Sequence, residues 1–177
     1  MAPRDTIEDL LGEYERALAY TDELARSLTN EQIRWRPHRE SSAIGWHLGH
    51  QAAVAHFMVR NLTAAESSPD PELDSLMDSA TPEADRGELP ELRRLWAYRD
   101  AIAERVRFRA RAIAAGDVGA PEQLASIATT MLTAIINHEY QHSTWIGEVR
   151  QGQFGLDLPA VPTSDRLTQL DGYTILA

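Results

Sequence analysis

The sequence predicts an all-α protein, a four-helix bundle with a long crossover between its second and third helices. Two observations carry this. Four long segments repeat apolar residues at three- and four-residue intervals, and no run alternates convincingly as a half-buried strand does. A stretch rich in Pro, Ser and acidic residues then splits the four segments into two pairs, as in bundles with one long connection.

The first helix runs from about Thr6 to Leu28, with Ile7, Leu10, Leu11, Tyr14, Leu18, Leu24 and Leu28 on its apolar side and Asp5 or Thr6 as its N-cap. TNEQIRWRPHRESS follows as a connection interrupted by Pro37, and Ser41 or Ser42 caps the next helix. That second helix spans about Ala43 to Ala64. Gly45 and Gly49 inside it each cost about 1 kcal/mol relative to alanine, so their presence predicts close packing near His47 and His50. Glu66 to Pro90 reads as the crossover, with one short helical turn at Glu72 to Met77. The third helix covers Leu92 to Ala115 and stops at Gly116. Pro121 opens the fourth, which continues to Gln151, where Gly152 is expected to end it. Residues 152–177 read as an irregular tail draped over the bundle. All 177 residues form a single domain, the bundle occupying about 6–151.

Composition narrows the chemistry. With no cysteine, disulfides, thiolate ligands and cysteine nucleophiles are excluded, so any metal must be held by His, Asp or Glu. The 27 acidic residues outnumber 17 basic ones, all arginine, for a net charge of -10. That balance disfavours nucleic acid or an anionic membrane as partner. Arg105, Arg107, Arg109 and Arg111, spaced by two, wind around their helix and read as solvated surface. No apolar run reaches the ~18–20 residues of a membrane span, and MAPRDTIEDL lacks a signal peptide's pattern, so a cytoplasmic location is expected.

The histidines hold the sharpest signal. In the fourth helix the seam Leu124, Ala128, Met131, Ile135, His138, His142, Trp145, Val149 steps by three and four, which puts two imidazoles one turn apart on the inward face. Two such rings can point at one ion. In the second helix the run Ala43, His47, His50, Val54, Phe57 has the same spacing, so His47 and His50 also lie on an inward face. Packing of the two helices would bring at least one of them opposite the pair. Three neutral imidazoles suit Zn(II), Ni(II) or Fe(II) and leave positions open. His38 and His56 lack this context and read as surface or satisfied residues; Trp35, Trp46, Trp96 and Trp145 read as core packing.

His138 to His142, HEYQH, also matches the zinc-peptidase signature HExxH. A longer HExxHxxGxxH form fails, because Trp145 and Glu148 stand where glycine and the third histidine belong, and neither His nor Glu follows Glu148. Glu139 lies ~100° around the helix from His138 and so flanks a metal rather than facing it.

SSAIGWHLGHQAAVAHF, preceded by QIRWRP, together with NHEYQHSTWIGEVRQ in the last helix, resembles the DinB/YfiT-like superfamily of four-helix-bundle metalloproteins, over roughly Thr6 to Gln151. The resemblance implies a divalent metal held by His50, His138 and His142. His47 is an addition to the usual pattern, open as fourth ligand, proton shuttle or packing residue; Trp145 occupies a position often polar in relatives. Relatives include thiol S-transferases, a thiol-dependent maleylpyruvate isomerase and the metal-binding domain of ergothioneine-type sulfoxide synthases. The resemblance therefore implies a transferase using a low-molecular-weight thiol as cosubstrate on a small-molecule substrate, with His47, Glu139 and Tyr140 as acid-base or supporting residues, and a homodimer. Two alternatives stand beside it: a hydrolase using metal-activated water, and a metal-binding stress-response protein without turnover.

Overall fold

A computed structural model describes residues 6–63, 66–118 and 121–177. The chain forms α1 (Ile7–Ala25), α2 (Asn30–Arg34), α3 (Ile44–Thr63), α4 (Pro71–Leu76), α5 (Leu92–Ala115), α6 (Pro121–Phe154) and two strands, β1 (Leu167–Leu170) and β2 (Tyr173–Leu176). The four long helices are those the periodicity predicts. α6 packs against both α1 and α3, and α5 packs against α3, α6 and α1. Their shared core is aliphatic, with Leu10, Leu24, Leu48, Ile102, Leu132 and Ile136 fully buried. No helix among the described residues is long and apolar enough to cross a membrane.

Thr6 caps α1 through a capping box with Asp9; the alternative cap, Asp5, and the expected end of the second helix at Ala64 lie outside the described residues. α5 ends on Gly116 in the left-handed region, as expected. α6 runs three residues past Gln151: Gly152 sits inside it in open space, and the chain turns out at Gly155, whose φ is +63°. A glycine stops a helix where it adopts positive φ, and an exposed one with helical φ is merely tolerated.

Four expectations need correction. The connection after α1 contains α2, capped by Thr29 through a second box with Gln32; its signal was the T-x-x-Q spacing itself. The tail is not irregular throughout, because β1 and β2 pair antiparallel with Leu167 opposite Leu176. Asp171 and Gly172 turn the hairpin with φ of 49° and 87°, the positive pair that a type I′ turn requires. Phe57 does not look inward and is 57% exposed; the buried stripe of α3 runs Ile44, Leu48, Ala52, Ala55, Val59, and the His47–His50 line borders it. The α5 arginines are not free in solvent. Arg107 and Arg111 pair with Glu15 and Glu8 of α1, while Arg105 and Arg109 pair with Glu66. Spacing by two splits them into two i, i+4 sets that bridge to different neighbours.

Candidate metal centre

α3 contributes His50 and α6 contributes His138 and His142, and one ring nitrogen from each lies within 4.8 Å of the others. The ring centroids are 5.2 Å apart for His50 and His138, 5.0 Å for His50 and His142, and 4.4 Å for His138 and His142. His50 and His142 are buried and His138 is half-buried.

Hydrogen bonds orient two of the three rings. His50 Nδ1 lies 2.8 Å from the Met77 carbonyl. A carbonyl only accepts, so Nδ1 carries the proton and Nε2 the lone pair. Gly49 makes this contact reachable: a Cβ there would fall 2.4 Å from the Met77 sulfur. Gly45 likewise lets α2 approach, since its Cβ would stand 3.1 Å from the Ile33 carbonyl. Both agree with the close packing the glycines predict.

His142 Nδ1 lies 2.8 Å from Nδ1 of His47. One proton serves this pair, and if His142 donates it, its Nε2 keeps a free lone pair while His47 accepts.

Two tryptophans flank the cluster, beyond the packing role expected of them. Trp46 stacks on His50 with centroids 4.3 Å apart and planes 13° apart, and the Arg86 guanidinium lies over the indole at 3.8 Å. Trp145 meets His142 edge-on at 4.8 Å and His47 at 5.6 Å. Met77 and Arg86 both come from the crossover between α3 and α5, so that segment helps build the centre.

Burial, reinforced by neighbouring imidazoles, pushes His47 and His138 down to about 4 and His142 to about 2. Burial also lowers His50, opposed by its bond to Met77. All four are neutral at pH 7, the form in which imidazole ligates. Three neutral imidazoles, two with their second nitrogen already engaged, fit a divalent ion such as Zn(II), Ni(II) or Fe(II).

The same shifts set a pH dependence for the metal-free protein. An unfolded histidine titrates near 6.5, above the folded values of about 4 for His47 and His138. As pH falls through this window the unfolded chain binds more protons, so stability is full above ~6.5 and declines toward 4, by up to ~1.4 kcal/mol per pH unit for each such histidine. Urea unfolding of chelator-treated protein should therefore give a lower midpoint at about pH 5 than at about pH 7.5; equal midpoints would contradict the burial of neutral rings.

The structure does not bring Glu139 or Tyr140 to the histidines. Glu139 Oε1 accepts from Arg99 Nη2 and from Thr21 Oγ1, each at 2.7 Å, in the interior between α1, α3, α5 and α6. Tyr140 faces α1, its ring 6.4 Å from that of Tyr20. Its buried hydroxyl has no hydrogen-bond partner among the described residues, and burial pushes it up to about 12. Two residues of helical rotation, ~200°, carry Tyr140 to the side opposite His138. The HExxH peptidase reading fails on the same ground: its glutamate must face the metal-bound water, and here it is held by an arginine. His56 is the satisfied residue expected, although buried. Its Nε2 is 3.0 Å from Arg105 Nη1, and its Nδ1 is 3.8 Å from Asp74.

Two cavities meet the cluster. One, of ≈640 Å³, reaches His50 and is walled by the crossover. The other, of ≈560 Å³, reaches His138 and is walled by the hairpin. Asn137, next to His138, fixes the hairpin by accepting from Leu176 N at 2.7 Å and donating to its carbonyl at 3.4 Å. Asp171-Gly172 was the sequence signal for this wall.

No curated protein matches the chain. The family model of the DinB superfamily matches residues 13–146, most of the chain and all four histidines of the cluster. The match covers the bundle and its crossover, and the chain belongs to the DinB superfamily.

Proposed function

We propose that the chain is a metal-dependent enzyme that activates a low-molecular-weight thiol for attack on an electrophile, a thiol S-transferase or a related conjugating enzyme. The observation that carries this reading is the convergence of three neutral imidazoles beside two cavities large enough for two small molecules. A divalent ion held by His50, His138 and His142 would supply positive charge that lowers the pKa of a thiol or water beside it.

The chain's own share is orientation and exclusion of water. Met77 and His47 hold the rings of His50 and His142, while Trp46 and Trp145 cover them. In the transfer, the thiol proton goes to solvent, an S–C bond forms, and the leaving group departs with its electron pair. No oxidant or reductant is needed. A chain without cysteine must take the sulfur from a cosubstrate, and its acidic charge supports small molecules over nucleic acid.

Hydrolysis by metal-activated water is the weaker reading, since of its two candidate bases Glu139 is engaged by Arg99 and His47 by His142. A closed four-ligand structural site is disfavoured by His47 Nδ1 being spent on His142.

Metal-loaded protein mixed with monochlorobimane and, in turn, glutathione, bacillithiol, mycothiol or cysteine tests the proposal. The expected result is saturable conjugate formation that stops when a chelator removes the metal. Ester cleavage that proceeds without thiol would install the hydrolase instead, and a metal-loaded protein inert in both assays would leave a binding protein.

A further inference from the structure

We infer that the hairpin-side cavity is a binding site for an uncharged, largely apolar molecule, one that tolerates a cation at its rim and rejects an anion. As the electrophile's pocket this rests on the proposed thiol chemistry; as a binding site it does not.

The argument is one of lining and charge. At ≈560 Å³ the cavity has the size of a small-molecule site. Met58 of α3, Leu170, Tyr173 and Ile175 of the hairpin supply its apolar walls. Asn137 and Gln141 of α6 supply neutral polar groups, and Asp171 at the hairpin tip is the one acidic or basic side chain lining it among the described residues. His138 opens onto the same space. Among the described residues no arginine lines this cavity to receive a carboxylate, sulfonate or phosphate. An anion entering it would exchange water for neutral donors alone, with no opposite charge to pair it, and would meet the Asp171 carboxylate.

The cavity on the other side of Met58 differs in kind. It presents Arg60, Asp74, Asp78 and two serines beside His50, groups suited to a hydrophilic thiol. The histidine cluster therefore borders one chamber that carries a single carboxylate and another, also partly apolar, that carries an arginine and two carboxylates. Two chemically unlike substrates can reach it by way of His138 and His50.

The hairpin makes the chamber. Its two strands are held against α6 through Leu176, which is buried and bonded to Asn137 on both backbone groups.

Three probes with one ring system and different charge test this by calorimetry on metal-free protein at pH 7.5: 1-naphthylmethanol, 1-naphthylmethylammonium and 1-naphthoate. The alcohol and the ammonium should bind, and the carboxylate should bind at least about tenfold more weakly, the equivalent of ~1.4 kcal/mol. Ile175→Asp should weaken the alcohol by a similar factor, and Asp171→Asn should remove any preference for the ammonium. Tyr173→Ala gives a second wall variant should Ile175→Asp disturb the hairpin. Naphthoate binding as tightly as the alcohol would overturn the inference, as would alcohol binding unchanged in both wall variants, or no binding by any probe. A wild-type chain that takes up no metal would sink the thiol chemistry while leaving this result intact.

Discussion

Alanine at His50, His138 or His142 is expected to strip the protein of its divalent ion while leaving the fold in place. Elemental mass spectrometry should find one ion per wild-type chain and almost none in the variants. Two imidazoles without a third donor make a weak site, and no cysteine exists to replace the lost ligand. The fold should survive because the core of aliphatic side chains lies beside the cluster rather than through it. His47 provides the contrast. As the residue that accepts from or donates to His142 at 2.8 Å, it acts on the ion through another ring. His47→Ala should keep the stoichiometry and lower metal affinity about 10–100-fold, the usual cost of losing such a partner. His47→Gln, whose carbonyl can accept the same proton, should recover part of the loss. An ion kept at full stoichiometry without His50 would show the ligand set to be wrong, and an ion lost with His47 would make that residue a fourth ligand.

How much of this was legible beforehand depends on the kind of contact. His138 and His142 could be placed inward because periodicity along one helix reports directly which side is apolar. His50 needed more, since the run that contains it also contains Phe57, which the structure exposes. Spacing of three and four cannot say where along a helix its neighbour stops covering it. The hydrogen bond of His50 to Met77 was out of reach for another reason: a backbone carbonyl leaves no mark in sequence, and only the crossover's path delivers it. The hairpin had a mark in Asp171-Gly172, but strands of four residues are too short for alternation to declare them. Glu139 was misleading because HExxH is a local pattern, whereas its true partner, Arg99, stands forty positions earlier on another helix.

That partner gives the second large effect. Arg99→Met is expected to destabilise the protein by about 3–5 kcal/mol, because it leaves the Glu139 carboxylate buried and unpaired. Both side chains are 3% exposed, and their contact is 2.7 Å. Arg99 also donates to the Leu48 carbonyl at 2.9 Å and to Gln51 Oε1 at 3.0 Å, so its loss orphans acceptors on α3 as well. Gln51 Nε2 in turn reaches the Glu139 carbonyl at 2.8 Å, and Thr21 Oγ1 lies 2.7 Å from Ser143. Each member on α3 and α6 is the neighbour of a cluster histidine: Gln51 follows His50, Glu139 follows His138, and Ser143 follows His142. The network therefore ties α3 to α6 one step around each helix from the imidazoles. Urea unfolding measures the loss, and a change below about 1 kcal/mol would mean the pair is not buried as described. Replacing both members by apolar residues, Arg99→Met with Glu139→Leu, should return much of the stability, since a desolvated ion pair contributes little net energy over a packed apolar one. If the network also positions the cluster, the double variant will be stable yet bind metal more weakly than wild type. Equal metal affinity in the two would assign the network to stability alone.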